Sequence, residues 1–324
     1  MTEPFSISFI IPYYELGKDL LLRAIGSVLD LRLEYDWELI VVDDGSKRFP
    51  ARQWVEACGD SRIRYVWKEN GGLGPARNTG AELATKSYIQ FLDADDYLLA
   101  DGFRQAATLT EKERPDILYY RYKMTYGTGK ESVQAEKQTF VERFSSGAEY
   151  MATRNLRGSS TQMLVRRHLV QTTPFVNIYF EDEHFSPRLL LIAGTVIDTN
   201  FYGYAYYQRP GSIINSTIDE QKAIKRFGDM RFIIRSMMEL CAQQQGIAHQ
   251  ALQRRIDQLT LAAVYRALQE APTRKMLDDE LQQLRAMGCY PLAKANYSPR
   301  YRLFRLLTNR SWKITIMRLL LRKR

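Results

Sequence analysis

Trp37-Glu38-Leu39-Ile40-Val41-Val42-Asp43-Asp44-Gly45-Ser46 is a short apolar run that stops on two acids, a glycine and a serine. A run of this length, rich in branched residues and shut by turn formers, reads as a strand covered on both faces. Upstream, Ser6–Tyr13 is a second such strand, and Asp19–Leu31 places Leu21, Ile25, Val28 and Leu29 at helical spacing. Downstream, Arg62–Trp67 reads as a strand, Gly74–Leu83 as a turn leading into a helix, and Tyr88–Leu92 as a strand closed by Asp93-Ala94-Asp95-Asp96. Asp116–Tyr122 is expected to be a further strand. Repeated β-α units of this length predict an α/β fold with a mostly parallel central sheet flanked by helices. Ligands of such sheets gather at the carboxyl ends of the strands. Two acidic clusters fall at such ends, after Val42 and after Leu92, and so define one candidate site.

The remainder of the 324 residues divides by pattern. Phe140–Tyr207 mixes helix and strand, whereas Ile218–Gln244, Ala248–Glu270 and Arg274–Met287 read as helices. This predicts an α/β domain over 1–216, a helical region over 217–296 and a basic tail over 297–324. The 12% of aromatic residues excludes a disordered chain. Cys58, Cys241 and Cys289 are far apart and odd in number, which argues against a disulfide framework or structural zinc and suits a reducing compartment. No signal peptide is expected at the N-terminus, and no apolar run approaches the roughly 18–20 residues of a membrane span. The net charge of +9 is local: nine of the 46 Lys and Arg lie in Tyr297–Arg324, which has no acid, so the rest balances the 37 acids. A neutral body gives no footing for nucleic acid.

Asp93-Ala94-Asp95 sets two carboxylates on the turn after a strand, where they can reach a hard cation and a ribose together. Mg²⁺ and Mn²⁺ take oxygen ligands and share their shell with substrate phosphates. The plain alternative is a solvated turn capped by Asp96. The carboxylates of Asp43-Asp44-Gly45-Ser46 can accept the imide N–H of a uracil or thymine ring, or serve the turn alone. Asn70–Gly80 is glycine-rich and opens a helix, a setting that suits anions, with Arg77 within reach of a base or phosphate. It lacks the Gly-Lys-Ser/Thr of a Walker loop. It follows the third strand rather than the first, so it is no dinucleotide fingerprint either. Glu181-Asp182-Glu183, after Ile178-Tyr179-Phe180, offers a general base for a sugar hydroxyl or simply an acidic helix start.

Taken in order, Ile10-Ile11-Pro12-Tyr13-Tyr14-Glu15, Val41–Ser46, Gly71–Gly80 and Phe91–Asp96 resemble the family 2 glycosyltransferases, whose A-type nucleotide-sugar fold is Rossmann-like. The resemblance runs over about the first 100 residues and extends to Phe180-Glu181-Asp182 and Tyr206–Ile213, the latter similar to members that build bacterial capsular, exopolysaccharide or lipopolysaccharide sugars. It implies a nucleotide-binding half over about 1–100 and an acceptor half over about 101–216. It also implies that Asp44 binds the nucleobase, that Pro12, Tyr14 and Glu15 line the base pocket, and that Asp93, with Ala94, meets the ribose. Asp95 would hold Mn²⁺ or Mg²⁺, and Asp182 would be the catalytic base of an inverting hexosyltransferase. Glu15 departs from the Asn of many members, and Tyr13 replaces a smaller apolar residue. The implied donor is a nucleotide diphosphate sugar, with UDP the expected carrier, and the acceptor a saccharide on a lipid. Arg209 and Ser212 are candidates for a phosphate contact.

A nucleotidyltransferase of similar fold would place a basic glycine-rich loop after the first strand, where Pro12-Tyr13-Tyr14-Glu15 stands. A non-catalytic membrane-surface binding protein would be free to lose Asp95 or Asp182, and both are present. In the tail, Leu303, Phe304, Leu307, Trp312, Ile316, Leu319 and Leu320 alternate with Arg302, Arg305, Arg310, Lys313, Arg318 and Arg322. One helix over Arg302–Arg322 would lie on an anionic membrane, giving a cytoplasmic protein peripheral on the inner face of the cell membrane. The duller expectation is a helix packed on the protein's own body.

Overall fold

The computed structural model describes residues 3–126, 139–156, 158–209 and 218–322. The chain forms two compact units: Met1–Tyr150 with Arg157–Asn177 and Glu181–Ile214, and Met151–Leu156 with Ile178–Phe180 and Asn215–Arg324.

At the centre of the first unit is β1 (Ser6–Tyr13), all eight of whose residues are buried. That is why its sequence shows an apolar run instead of alternation. Strand β2 (Asp36–Asp43) lies parallel to it on one side, pairing Ile40 with Ile10, and β4 (Tyr88–Phe91) lies parallel on the other, pairing Phe91 with Ile10. Beyond β2 runs β3 (Ile63–Trp67), whose half-exposed residues mark an edge. Crossovers are made by α1 (Lys18–Leu29), α2 (Arg52–Glu56) and α3 (Leu73–Leu83). Helix α1 buries Leu21, Ala24, Ile25 and Val28, one stripe at helical spacing. Helix α3 rests on β1 and β2 so closely that a Cβ on Gly80 would stand 2.3 Å from Ile10 Cγ2.

The order β3-β2-β1-β4 reverses direction between β1 and β4, which opens a crevice at the carboxyl ends of both strands. Past β4 come β5 (Tyr97–Leu98), α4 (Ala100–Glu113), β6 (Ile117–Thr125), β7 (Val141–Phe144), α5 (Gly147–Thr153), β8 (Met163–Arg166), α6 (Arg167–Thr172), α7 (Glu181–Ile192) and β9 (Val196–Tyr207). Strand β8 sits antiparallel between β4 and β6, and β9 runs parallel to β6 but antiparallel to β5 and β7. The sheet is therefore parallel in its first half and mixed in its second. Buried strands carry the same apolar pattern in either direction, so the sequence could not separate the two halves. Phe9 ties the faces of the sheet into the core, 6.3 Å from Trp37 and 5.6 Å from Phe103 between ring centres.

The second unit is built on α8 (Glu220–Ala242), α9 (Gly246–Glu270) and α10 (Arg274–Ala286). Asp219 and Thr273 cap α8 and α10 by accepting backbone N–H bonds from Lys222 and Met276. The tail is not one helix. It is α11 (Pro299–Thr308) and α12 (Ser311–Arg322), broken where the Asn309 side chain bonds both the N–H and the carbonyl of Leu292 at 2.9 Å. Both helices lie against α9, with Tyr301 and Ile314 buried. Their outer side leaves Leu303 60%, Leu319 64% and Leu320 63% exposed. The Trp312 side chain lies outside the described residues. No described helix is long and apolar enough to cross a membrane.

Candidate active site

Four of the sequence motifs meet at the carboxyl ends of β1, β2 and β4. After β2, Asp43 is fully buried and closes the turn, accepting from Ser46 N at 2.8 Å, Ala51 N at 3.3 Å and the Tyr65 hydroxyl at 2.8 Å. Gly45 makes the turn possible: its φ is +79°, and a Cβ there would meet Asn70 N at 2.7 Å. Asp44, also buried, gathers the glycine-rich loop. Its Oδ1 accepts from Lys68 Nζ at 2.6 Å and Gly71 N at 3.0 Å, and its Oδ2 from Gly72 N at 2.7 Å. A carboxylate has about four acceptor sites, so one of them is left for a ligand N–H.

Of the three residues assigned to the base pocket beside Asp44, Pro12 is buried in β1 and Tyr14 is 53% exposed at its end. Glu15 does something the sequence did not suggest. Its carboxylate turns onto the loop after β2 and accepts from the backbone N–H of Lys47 (2.7 Å), Arg48 (2.9 Å) and Phe49 (3.2 Å). The Arg48 and Lys47 amides hold it below the usual carboxylate range. Tyr13 acts on the same loop, donating to the carbonyls of Leu16 at 2.5 Å and Phe49 at 2.7 Å. The two departures from the familiar pattern, Tyr13 and Glu15, thus hold one loop together.

The acids after β4 are arranged differently. Arg77, on α3, is 1% exposed and faces three carboxylates at once. Its Nη2 donates to Asp93 Oδ1 at 2.9 Å, and its Nη1 to Glu181 Oε1 at 2.6 Å and Asp182 Oδ1 at 3.2 Å. Where a base or phosphate contact was expected of Arg77, its guanidinium is buried and paired with these protein acids. Burial alone would lower its pKa, but Asp182, Asp93 and Glu181 outweigh burial and raise it. One cation against three carboxylates leaves negative charge in excess. Burial pushes Asp93 above the usual carboxylate range; Arg77 pulls it back, and Asp95 and Asp182 push it up. Glu181 is raised likewise, by burial and by Asp182, against the pull of Arg77.

Asp95 and Asp96 face apart. Asp96 is buried and accepts from the Tyr204 hydroxyl at 2.6 Å and Tyr207 N at 2.8 Å, fastening the turn to β9. Burial, then Asp93 and Asp95, hold its carboxyl well above the ordinary range. The Asp95 carboxylate accepts from Arg209 Nε at 2.8 Å, and its carbonyl accepts from Arg23 Nη2 at 2.6 Å. The Arg23 guanidinium lies 4.0 Å from the centre of the Tyr207 ring. Ala94 is buried between the two outward acids. Arg209, a candidate phosphate contact, is therefore paired with the candidate metal ligand, while Ser212 falls outside the described residues. Sequence reasoning missed Arg23 and Tyr204, which no local signal marks, and gives Tyr207 no role beyond its place in Tyr206–Ile213.

Among the described residues no group of three His, Cys, Asp or Glu forms a metal cage. A cation shared with a diphosphate needs only one or two protein carboxylates. Asp95, beside the crowded Asp93 at the mouth of the crevice, meets that requirement, so the donor set fits Mn²⁺ or Mg²⁺.

Comparison with known proteins places the chain in a family. The glycosyl transferase family 2 profile matches residues 8–180, from the third residue of β1 to Phe180, just short of the Glu181-Asp182 pair. Glycosyltransferase GlyG of Streptococcus pneumoniae serotype 4 is 27% identical over 237 residues, which span 66% of this chain and 74% of GlyG. The succinoglycan biosynthesis protein ExoW of Rhizobium meliloti is 35% identical over 105 residues, covering 31% of this chain and 32% of its own. Among solved structures, residues 1–349 of S. aureus TarS in complex with UDP-GlcNAc superpose with a TM-score of 0.64 at 20% identity, covering 98% of this chain and 90% of that one, a likeness of fold. The profile spans more than half of the chain and takes in every strand-end motif of the crevice, and the chain is accordingly a member of glycosyl transferase family 2.

Proposed function

We propose that this glycosyltransferase moves a sugar from a nucleotide diphosphate sugar, with UDP as carrier, to a saccharide acceptor on a lipid, with inversion, in the synthesis of a bacterial cell-surface polysaccharide. The name of ExoW and the UDP-GlcNAc bound to TarS support the pathway and the donor class. The observation that carries the reading is the Arg77 cluster, which joins Asp93 of the donor end to Asp182 through one guanidinium. Asp44 takes the nucleobase N–H with its remaining acceptor site, in a pocket lined by Pro12, Tyr14 and the loop that Glu15 holds. Asp93 bonds the ribose beside Ala94. Asp95 holds the divalent cation, which when bound offsets the charge on the leaving diphosphate.

Asp182 takes the proton of the acceptor hydroxyl. The hydroxyl oxygen bonds to the anomeric carbon from the face opposite the diphosphate, and the carbon–oxygen bond to the diphosphate breaks with its electron pair. Arg77 keeps Asp182 aimed, so that alignment does not have to be found during the reaction. The test is Asp182→Asn, assayed by release of UDP from a panel of UDP-sugars with Mn²⁺. Donor affinity should stay and turnover fall by about 100-fold or more. Collapse of donor affinity with normal turnover at saturation would move Asp182 to the donor site.

The tail docks the protein on the inner face of an anionic membrane. Supporting this is the exposed apolar side of α11 and α12 among the tail's cations, each worth about 1 kcal/mol near an anionic surface. Sedimentation with liposomes of rising anionic content should carry down the parent chain and leave a Leu303→Glu, Leu319→Glu, Leu320→Glu variant in solution. Equal binding by both would remove the tail as the anchor.

A further inference from the structure

A carboxylate that accepts one base N–H does not by itself tell uracil from its rivals. The edge of uracil reads acceptor, donor, acceptor, with N3–H between two carbonyls. To read that edge, the carboxylate of Asp44 needs a fixed N–H donor beside it. Arg77 does not supply one, because its guanidinium is paired with Asp93, Glu181 and Asp182. The register of β2 and β3 brings a lysine instead. Asp43 is in register with Trp67, and Lys68 N donates to the Asp43 carbonyl at 2.9 Å, so the residues that follow, Asp44 and Lys68, come side by side. The Lys68 ammonium donates to Asp44 Oδ1 at 2.6 Å and to the Glu69 carbonyl at 2.5 Å. An ammonium has three N–H groups, and among the described residues these two are taken. The side chain of Lys68 is 21% exposed against 4% for Asp44, so the open side of the pair is the lysine's. Its tip is also closely confined. A Cβ on Gly71 would stand 2.9 Å from Nζ, and Gly71 N itself donates to Asp44 Oδ1 at 3.0 Å. A flexible side chain is thus pinned at its end, next to the acceptor site that Asp44 has left.

We infer that Lys68 determines which base is taken: its third N–H donates to a carbonyl flanking N3 of uracil while Asp44 accepts N3–H. The inference rests on Asp44 as the residue that meets the base. Carboxylate and ammonium then read donor and acceptor as one unit, which uracil and thymine satisfy. Cytosine reverses both atoms, turning a lone pair at N3 to the carboxylate and an amino group to the ammonium. Adenine does the same with N1 and its own amino group. A site built to hydrogen-bond one pattern rejects the reversed one strongly, because its own polar groups are left unpaired. Guanine presents the uracil pattern at N1 and O6, so Lys68 does not act against it.

The experiment is a calorimetric titration of the full chain, with Mn²⁺ present, using UDP, CDP and the two UDP analogues that carry sulfur in place of O2 or of O4. Diphosphate and ribose are common to all four, so ratios of affinity report the base alone. Sulfur is a weak acceptor. One thio analogue should therefore bind about tenfold or more weaker than UDP, and which one identifies the carbonyl that is read. Lys68→Met should bind UDP and that analogue alike, and its preference for UDP over CDP should shrink about tenfold or more. Gly71→Ala, a second variant, pushes the ammonium aside but keeps its charge, and should narrow both ratios as well. A lysine that only supports the loop would lower all four affinities together. That result, unchanged ratios in both variants, or equal binding of UDP and both thio analogues by the parent chain overturns the assignment. Asp44→Asn separates this inference from the reading beneath it. If it weakens UDP while the Lys68 ratios stay fixed, the role of Lys68 alone fails. If it leaves UDP affinity unchanged, the base pocket at Asp44 falls and this inference with it.

Discussion

The acids after β2 and those after β4 look alike in sequence and behave in opposite ways. Asp43 and Asp44 are enclosed by donors: backbone amides, a tyrosine hydroxyl and a lysine share their oxygens. Asp93, Asp96 and Glu181 are each raised by burial and by neighbouring acids. The first cluster is a finished piece of architecture. The second is charged beyond what Arg77 and Arg209 neutralise, and a bound cation would relieve it. Two identical dipeptides of acid can thus build a pocket wall in one place and a reactive site in another, and the difference lies in how many N–H groups the neighbouring loop supplies.

The largest expected effect breaks the second cluster. Arg77→Leu leaves three carboxylates around a buried position and should cost roughly 3–5 kcal/mol of stability, read by chemical denaturation. A loss below about 1 kcal/mol would mean the acids are solvated and the cluster is not a unit. Next, Asp95→Ala should keep the fold, since the side chain is partly exposed, and reduce turnover by about 10³-fold. Full activity of this variant in EDTA would remove the metal role. Asp43→Ala should do the reverse, costing about 1–3 kcal/mol by orphaning Ser46 N, Ala51 N and the Tyr65 hydroxyl, with residual folded protein still turning over. If Asp43→Ala abolished turnover at full stability, the contrast between the clusters would fail.

The smallest effect sharpens the contrast through pH. Burial raises Glu181 above its ordinary value, so its ionised form is disfavoured in the fold, and stability drains away as pH climbs through the raised value. Glu181→Gln cannot ionise yet keeps an oxygen for Arg77. Its melting temperature, relative to the parent, should gain between about pH 4 and about pH 7. A difference that is flat or shrinks over that range would show that Glu181 is not held ionised at a cost.

The first half of the fold was open to reading because β2 and β4 announced themselves twice, by an apolar run and by the acids that end it. Helix α1 and the three long helices of the second unit were legible for the same reason, a buried stripe at 3.6-residue spacing. What escaped depended on partners far along the chain. Arg77 falls in a glycine-rich stretch and reads as a base or phosphate ligand; in the fold it lies on α3, and two of its three acid partners are 104 and 105 residues away on α7. Glu15 reads as a pocket residue until the amides of residues 47–49 are folded onto it. Periodicity carries the tail straight through Asn309, and only the bond back to Leu292 breaks it. Direction of pairing in β8 and β9 leaves no local trace either, because a buried residue has the same neighbours' chemistry whichever way the adjacent strand runs.

The close seat of α3 on the sheet has a mechanical meaning. Gly80 is one turn beyond Arg77, and the space a methyl group would need is held by Ile10 Cγ2 and, at 3.3 Å, Val42 Cγ2. The helix therefore works as a lever whose fulcrum is a missing carbon. Adding that carbon would tip α3 away from β1 and carry the Arg77 guanidinium with it, so the acids it gathers would part without any of them being touched. The tolerance of the chemistry is set by the thickness of one residue where the helix meets the sheet.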